Sequence, residues 1–288
     1  MIYMNNRKID DLIEDYMNIK ISDKLEDRVN EAIKESKKIK KRGINMKKGF
    51  IGVAASVAVV IGMLNVSPAF ADAVKEVPIV GNLVNLVVVK NYKVNDKNVE
   101  ADINVSKIDG LKNKELQDNL NEEFMKQGKE AYENLIKEIP DIGEGKKYVG
   151  MDYKIKSETD SILSIEVSKS EIQASGYETR KHYVIDKEKQ VVLTLPLIFK
   201  DKSYVDVISD NIKEQMRKQM KEDEGKSYFI DSEKDFAEDD FKKIAENQDF
   251  YINSNNDLVI CFDEYEVAPG YMGPVEFVIP KEIVDNLK

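Results

Sequence analysis

The sequence predicts an α+β protein. An extracellular domain of antiparallel strands with two main helices follows one transmembrane helix and a short N-terminal helical segment. Three observations lead there. Residues 49–71 form a run of 23 without a charge, and about 20 apolar residues cross a bilayer core as a helix. Charge divides across that run: residues 1–48 carry 13 Lys/Arg against 9 Asp/Glu, and residues 74–288 carry 31 against 44. Beyond the run, strand-like and helix-like segments come in groups rather than in strict alternation, which is the α+β pattern.

The first 48 residues hold two short amphipathic helices. Ile9, Leu12, Ile13 and Tyr16 share one face over about residues 7–17. Asp23, with Glu26 three positions on, starts a second helix carrying Leu25, Val29, Ala32 and Ile33 on one stripe. Helices this short are marginal in water without a packing partner. Leu25, Val29 and Ile33 are thus candidate docking residues for a cytosolic protein, as a helix in a groove. A helix pair packed on itself or lying on the membrane is the alternative.

Residues 49–71 are the transmembrane helix. Lys37, Lys38, Lys40, Lys41, Arg42, Lys47 and Lys48 precede it, which puts the N-terminus in the cytoplasm and the remainder outside. A removed signal peptide is the alternative, but 48 residues before the apolar run exceed its usual leader. Where the helix emerges, Ala69-Phe70-Ala71 and Ala71-Asp72-Ala73 offer small residues at the spacing signal peptidase requires. Pro68 helps end the helix just before. Residues 72–89 form a juxtamembrane segment, in which residues 77–86 are apolar. They make a short interfacial helix or the first strand of the outer domain.

Residues 90–288 are the outer domain. Residues 99–105 alternate as a strand. A long helix follows over about residues 113–139, with Leu116, Leu120, Phe124, Ala131, Leu135 and Ile139 on one face and Pro140 at its end. Strands are expected over residues 148–156, 162–168, 171–174, 182–185 and 191–195, with a hairpin turn at Asp186–Lys189 between the last two. The second main helix covers about residues 205–221, with Val207, Ile208, Ile212 and Met216 inward. A hairpin over residues 250–253 and 258–262, a strand over 275–279 and a short helix over 281–287 complete the chain.

Composition excludes several function classes. Cys261 is the only cysteine and lies in a strand-like apolar run, as a buried inert thiol. His182 is the only histidine, also on a strand. A His-based nucleophile triad and a His-rich metal site lack their parts. The chain is expected to be no enzyme and to hold no cofactor and no metal. The net charge of residues 74–288 is −13; an acidic exterior favours cationic partners and disfavours nucleic acid.

Residues 262–274 join two strands and cluster Tyr, Pro and Gly: Phe-Asp-Glu-Tyr-Glu-Val-Ala-Pro-Gly-Tyr-Met-Gly-Pro. Aromatics on a restrained loop make binding anchors. Asp263, Glu264 and Glu266 also have the chemistry of glycosidase carboxylates, or of a solvated acidic surface.

At these residues the chain resembles the RsiV-type anti-sigma factors. Tyr265-Glu266-Val267-Ala268-Pro269-Gly270-Tyr271-Met272-Gly273 carries the resemblance, with Glu276-Phe277 and Ile279-Pro280 behind it. Asn211–Met216, Gln219–Asp223, Val77–Gly81, Leu193–Leu195 and Phe199–Asp201 match in the same order. The resemblance covers nearly the whole chain. It implies that the N-terminal segment holds an extracytoplasmic-function sigma factor inactive at the membrane. It implies that the outer domain receives lysozyme, whose binding exposes the signal-peptidase site. A site-2 intramembrane protease would then cut the stub. The positions matching the family's lysozyme contacts are Ser175, and Pro269 and Tyr271 with Gly270 between them. The cut would follow Ala73, with Ala71 at the third-last position; a cut after Ala71, with Ala69 at that position, is the alternative.

The runner-up from the residues is a membrane-anchored cell-wall-binding or wall-modifying protein working through Asp263 or Glu264. A tethered adhesion module is the third possibility.

Overall fold

The computed structural model describes residues 84–142, 145–232 and 240–288. The apolar run 49–71, the candidate cut-site residues Ala69, Ala71 and Ala73, and the docking residues Leu25, Val29 and Ile33 lie outside them. Among the described residues no helix is long and apolar enough to cross a membrane.

The described part is α+β, built on two sheets. The first has six strands in sequence order: β1 (Asn85–Asp96), β2 (Val99–Asp109), β3 (Lys147–Glu158), β4 (Ile162–Ile172), β5 (Gly176–Asp186) and β6 (Val191–Val192). The second holds β7 (Phe250–Ile252), β8 (Leu258–Phe262) and β9 (Val275–Ile279). Helix α1 (Lys114–Glu138) joins β2 to β3. A short turn of helix, α2 (Leu195–Ile198), leads into α3 (Ser203–Glu222), and α4 (Lys281–Leu287) closes the chain.

One pairing departs from the antiparallel expectation. Residues 99–103 of β2 run parallel to residues 147–151 of β3. Helix α1 between them is the crossover that a parallel pair needs. Its start is fixed to the end of β2 by side chains. Asn113 caps the helix by accepting from the Leu116 amide. The Gln117 side chain accepts from the Gly110 and Leu111 amides. Asn121 exchanges two hydrogen bonds with the Ile108 backbone, at 2.8 and 3.1 Å.

Leu116, Leu120, Phe124, Ala131 and Leu135 of α1 are buried, at the predicted helical spacing. They meet one face of the first sheet, where Ile103, Val105, Ile165, Tyr183 and Ile185 are nearly inaccessible. Phe124 packs its ring 4.9 Å from Tyr153 and 5.1 Å from Tyr183. Gly128 lets the helix approach: a Cβ there would sit 2.2 Å from Val105 Cγ2.

A second core gathers α3 and the small sheet. Tyr204, Ile208, Ile212 and Met216 are buried at four-residue spacing. Val207 was expected inward and is instead exposed. The buried face runs through Tyr204, Ile208 and Ser209, and Val207 lies about 100° round the helix from Ile208 on the side away from Ser209.

Three other elements differ from expectation. Residues 162–168 and 171–174 were expected as two strands. They are one strand ending at Ile172, and Gln173–Ser175 form the turn into β5. Val191–Val192 pairs with β5 only briefly, because Thr194 and Pro196 start a helical turn. Strand β1, Asn85–Asp96, overlaps only the last two residues of the 77–86 stretch read as an interfacial helix or a first strand.

Candidate functional site

β4 and β5 form a hairpin of full register from Ile162↔Asp186 to Ile172↔Gly176. The Gln173 amide donates to the Ser175 carbonyl at 3.2 Å, closing the turn that exposes Ser175. On its other side β5 has little strand cover. β6 pairs only with Ile185 and Asp186.

The rest of that edge is closed by side chains. The Glu178 amide donates to Glu264 Oε2 at 2.9 Å. The Arg180 amide donates to Asp263 Oδ1 at 2.8 Å. The His182 amide donates to Asp249 Oδ1 at 3.0 Å. Alternate amides of one strand thus meet three carboxylates, as period-two geometry requires. An uncapped row of such amides would invite another strand.

Two of those carboxylates begin the loop that carries Tyr271. Asp263 and Glu266 turn the chain by reciprocal bonds: the Asp263 amide donates to Glu266 Oε2 at 2.9 Å, and the Glu266 amide to the Asp263 carbonyl at 3.1 Å. Tyr265 takes a positive φ of 66° within this turn. Its ring stacks on Tyr177 at 6.3 Å and lies against Gly270. A Cβ at Gly270 would be 2.2 Å from that ring. Val267 and Ala268 are buried, and the Phe229 amide donates to the Val267 carbonyl at 2.8 Å. The chain then emerges through Pro269 into a 3-10 turn, Gly270–Met272. Tyr271 at its centre is 70 % exposed. The turn containing Ser175 and the turn containing Tyr271 are therefore joined through the Tyr177–Tyr265 pair and through Glu178–Glu264.

The surroundings are acidic. Burial pushes the Tyr177 phenol up, and Asp263, Glu266, Glu264 and Glu171 add to the shift. Burial also pushes Asp263 up to about 6, against the Arg180 amide, which favours its charged form. Behind the edge is a cavity of about 30 Å³, lined in part by Arg180, Cys261 and Glu276. That is room for a water or so, not for a substrate.

A buried polar layer lies between the two sheets. His182, stacked on Tyr251 at 5.0 Å, faces Asp249 through Nδ1 at 2.6 Å and Glu166 through Nε2 at 3.3 Å. Lys154 and Lys156 meet Glu166 at 2.7 and 2.9 Å, and Lys156 also meets Glu276 at 2.8 Å. Burial would raise the Glu166 carboxyl, but His182, Lys154 and Lys156 hold it well below the usual range. His182, Asp249 and Cys261 place three donor atoms within 4.8 Å of one another. This set is arranged as an ion-pair network: both imidazole nitrogens meet carboxylates, and burial pushes the Cys261 thiol well up.

The sequence pointed to Ser175, Pro269, Gly270 and Tyr271 through resemblance, and these fall on two joined turns. Asp263 and Glu264, read from the sequence as glycosidase-type carboxylates or a solvated acidic surface, each also accept from a backbone amide. It read His182 as an ordinary strand histidine and missed the network around it. The only available signal was a lone buried-pattern histidine in a chain rich in Lys and Glu.

Known proteins bear on this arrangement. The family described as a protein of unknown function, DUF3298, matches residues 197–282. A DUF3298 protein from Pseudomonas aeruginosa superposes with a TM-score of 0.51 at 13 % identity, covering 72 % of this chain and 94 % of that one. A second, from Bacteroides fragilis, gives 0.49 at 16 % identity over the same shares. The former likeness concerns the fold alone. Anti-sigma-V factor RsiV of Bacillus subtilis (strain 168) is 36 % identical over 282 residues, covering 98 % of this chain and 97 % of that protein. The sequence is that of an anti-sigma factor. The chain belongs to the RsiV family.

Proposed function

We propose that this protein is a single-pass membrane anti-sigma factor with its N-terminus in the cytoplasm. Residues 1–48 sequester an extracytoplasmic-function sigma factor, through Leu25, Val29 and Ile33. The outer domain binds lysozyme. Binding opens the bonds near Ala71 and Ala73 to signal peptidase, and a site-2 protease then cuts within the membrane and frees the sigma factor.

One observation carries the lysozyme part. Tyr271 is a large aromatic, 70 % exposed, on a turn braced by a buried Val267-Ala268 step and tied to the strand that follows Ser175. A rigid exposed tyrosine loses little entropy on docking and suits a cleft. The acidic surroundings suit a cationic partner. Asp263 and Glu264, the carboxylates that a wall-modifying enzyme would need, are each engaged by a backbone amide.

The test is a titration of lysozyme against the full-length chain in detergent. Tyr271→Ala is expected to weaken binding by roughly 2–4 kcal/mol, the range of an aromatic hot spot, with an unchanged melting transition. Wild-type affinity in that variant would remove Tyr271 from the surface.

A further inference from the structure

We propose that Asp263 and Glu264 are positioning residues of the interaction surface. By capping the open edge of β5 they hold the turn containing Ser175 and the turn containing Tyr271 in one fixed relation. The consequence for affinity rests on the lysozyme reading above; the coupling itself does not.

The donors and acceptors are separated by more than 80 residues in sequence but lie in two short stretches. Glu178 and Arg180 follow Ser175 directly along β5. Glu264 and Asp263 receive their amides at 2.9 and 2.8 Å. Hydrogen bonds from an amide to an ionised carboxylate are stronger than neutral ones. Two in succession on one strand fix both the distance and the direction of the loop. Tyr265 extends the contact: its ring stacks on Tyr177 and fills the space over Gly270, one residue from Tyr271. Neither turn can shift alone without opening these contacts. A strand placed on the same edge would cap the amides too, but it would cover the hairpin end. Side-chain carboxylates cap it from one side and leave both turns open to a partner.

The same carboxylates carry charge that attracts a cationic protein. The two roles separate by substitution. Asp263→Asn and Glu264→Gln keep an acceptor oxygen and remove the charge, whereas alanine removes both. Charge acts mainly on association, and positioning acts on dissociation. For the full-length chain in detergent, the double alanine variant is expected to release lysozyme roughly tenfold faster, as for loss of a buried hydrogen-bond partner. The Asn/Gln variant is expected to dissociate within about twofold of wild type and to associate more slowly. Equal dissociation rates for the two double variants would overturn the proposal.

Amide hydrogen exchange without lysozyme provides the second measurement. The alanine pair should speed exchange over both residues 174–180 and residues 268–273, with the Asn/Gln pair near wild type. Faster exchange in only one turn, or in neither, overturns the proposal. If the alanine pair unfolds, Glu264→Ala alone, at a part-exposed position, takes its place. A wild-type chain that fails to bind lysozyme sinks the lysozyme reading, and exchange still judges the coupling.

Discussion

His182 stands between two carboxylates, with Nδ1 2.6 Å from Asp249 Oδ2 and Nε2 3.3 Å from Glu166 Oε2. The imidazole is buried, so desolvation pulls its pKa down. Asp249 and Glu166 outweigh that and raise it. In the same network burial opposes the charged forms of Glu166 and Asp249, yet their cationic neighbours hold both low.

These directions fix how stability depends on pH. The unfolded histidine titrates near 6.5. Its contribution is full below that value and is lost as pH rises through the raised folded value. The Glu166 and Asp249 contributions are full above about 4 and are lost as pH falls through their lowered folded values. Asp263 works the other way. Its folded pKa of about 6 exceeds the unfolded carboxylate value, so it favours the fold as pH falls from about 6 toward about 4. Urea unfolding at a series of pH values should show stability declining above neutrality. His182→Gln should remove the part of that decline that begins near neutrality, leaving the more alkaline part that the raised Cys261 thiol contributes. It should also cost about 1–3 kcal/mol near neutral pH, because both carboxylates lose the imidazole while Lys154 and Lys156 stay on Glu166 and Lys181 stays on Asp249. A variant as stable as wild type would mean that the network is not charged as described.

Gly128 makes a separate claim about packing. Alanine is the better helix former by about 1 kcal/mol, so a solvent-facing glycine would gain from the change. Here the new methyl would meet Val105 Cγ2 at 2.2 Å inside the α1–sheet contact, and both Val105 and its neighbour Ile103 are fully buried. Gly128→Ala is expected to destabilise by about 1–3 kcal/mol through overpacking. Chemical denaturation that shows a gain would mean that α1 rides higher on the sheet.

Gly270→Ala should act differently. The obstructing atoms are the far end of the Tyr265 ring, and Tyr265 is 53 % exposed, so the ring can swing outward. The expected stability change is within about 0.5 kcal/mol, as for surface positions. The cost falls on the Tyr177–Tyr265 stack and hence on the placement of Tyr271. Lysozyme binding should weaken while the melting temperature stays near wild type. Retained affinity would show that the stack does not support the turn.

What the sequence made legible follows the range of each signal. Helices α1 and α3 were readable because their stripes are local and repeat over several turns. β8 was readable as an apolar run bounded by turn residues. β1 was not: none of its residues is buried, so no face alternates, and only its pairing with β2 makes it a strand. The first half of β5, Gly176–Lys181, is part-exposed for the same reason, and only His182–Ile185 stood out. The parallel β2–β3 pairing leaves no local trace. The carboxylate caps are the clearest case. Asp263 and Glu264 are 83 and 86 residues from the amides they accept, and no periodicity connects them.

The electrostatic component of recognition can be separated from the contact component by salt. Residues 74–288 carry a net −13, and acidic groups crowd Tyr177 beside the two turns. Interactions across solvent decay over about 8 Å at physiological ionic strength and about 3 Å at 1 M. Long-range attraction therefore acts on encounter and fades with salt, whereas a tyrosine seated in a cleft is held by desolvated contact and is little screened. Association of lysozyme with the full-length chain should slow by about tenfold or more between low and high salt. Dissociation should change far less. Tyr271→Ala should show the opposite split, with faster dissociation and the same salt slope for association. Stopped-flow measurements on both proteins at a series of salt concentrations give all four numbers. A salt-independent association rate would mean that the acidic exterior serves solubility rather than capture.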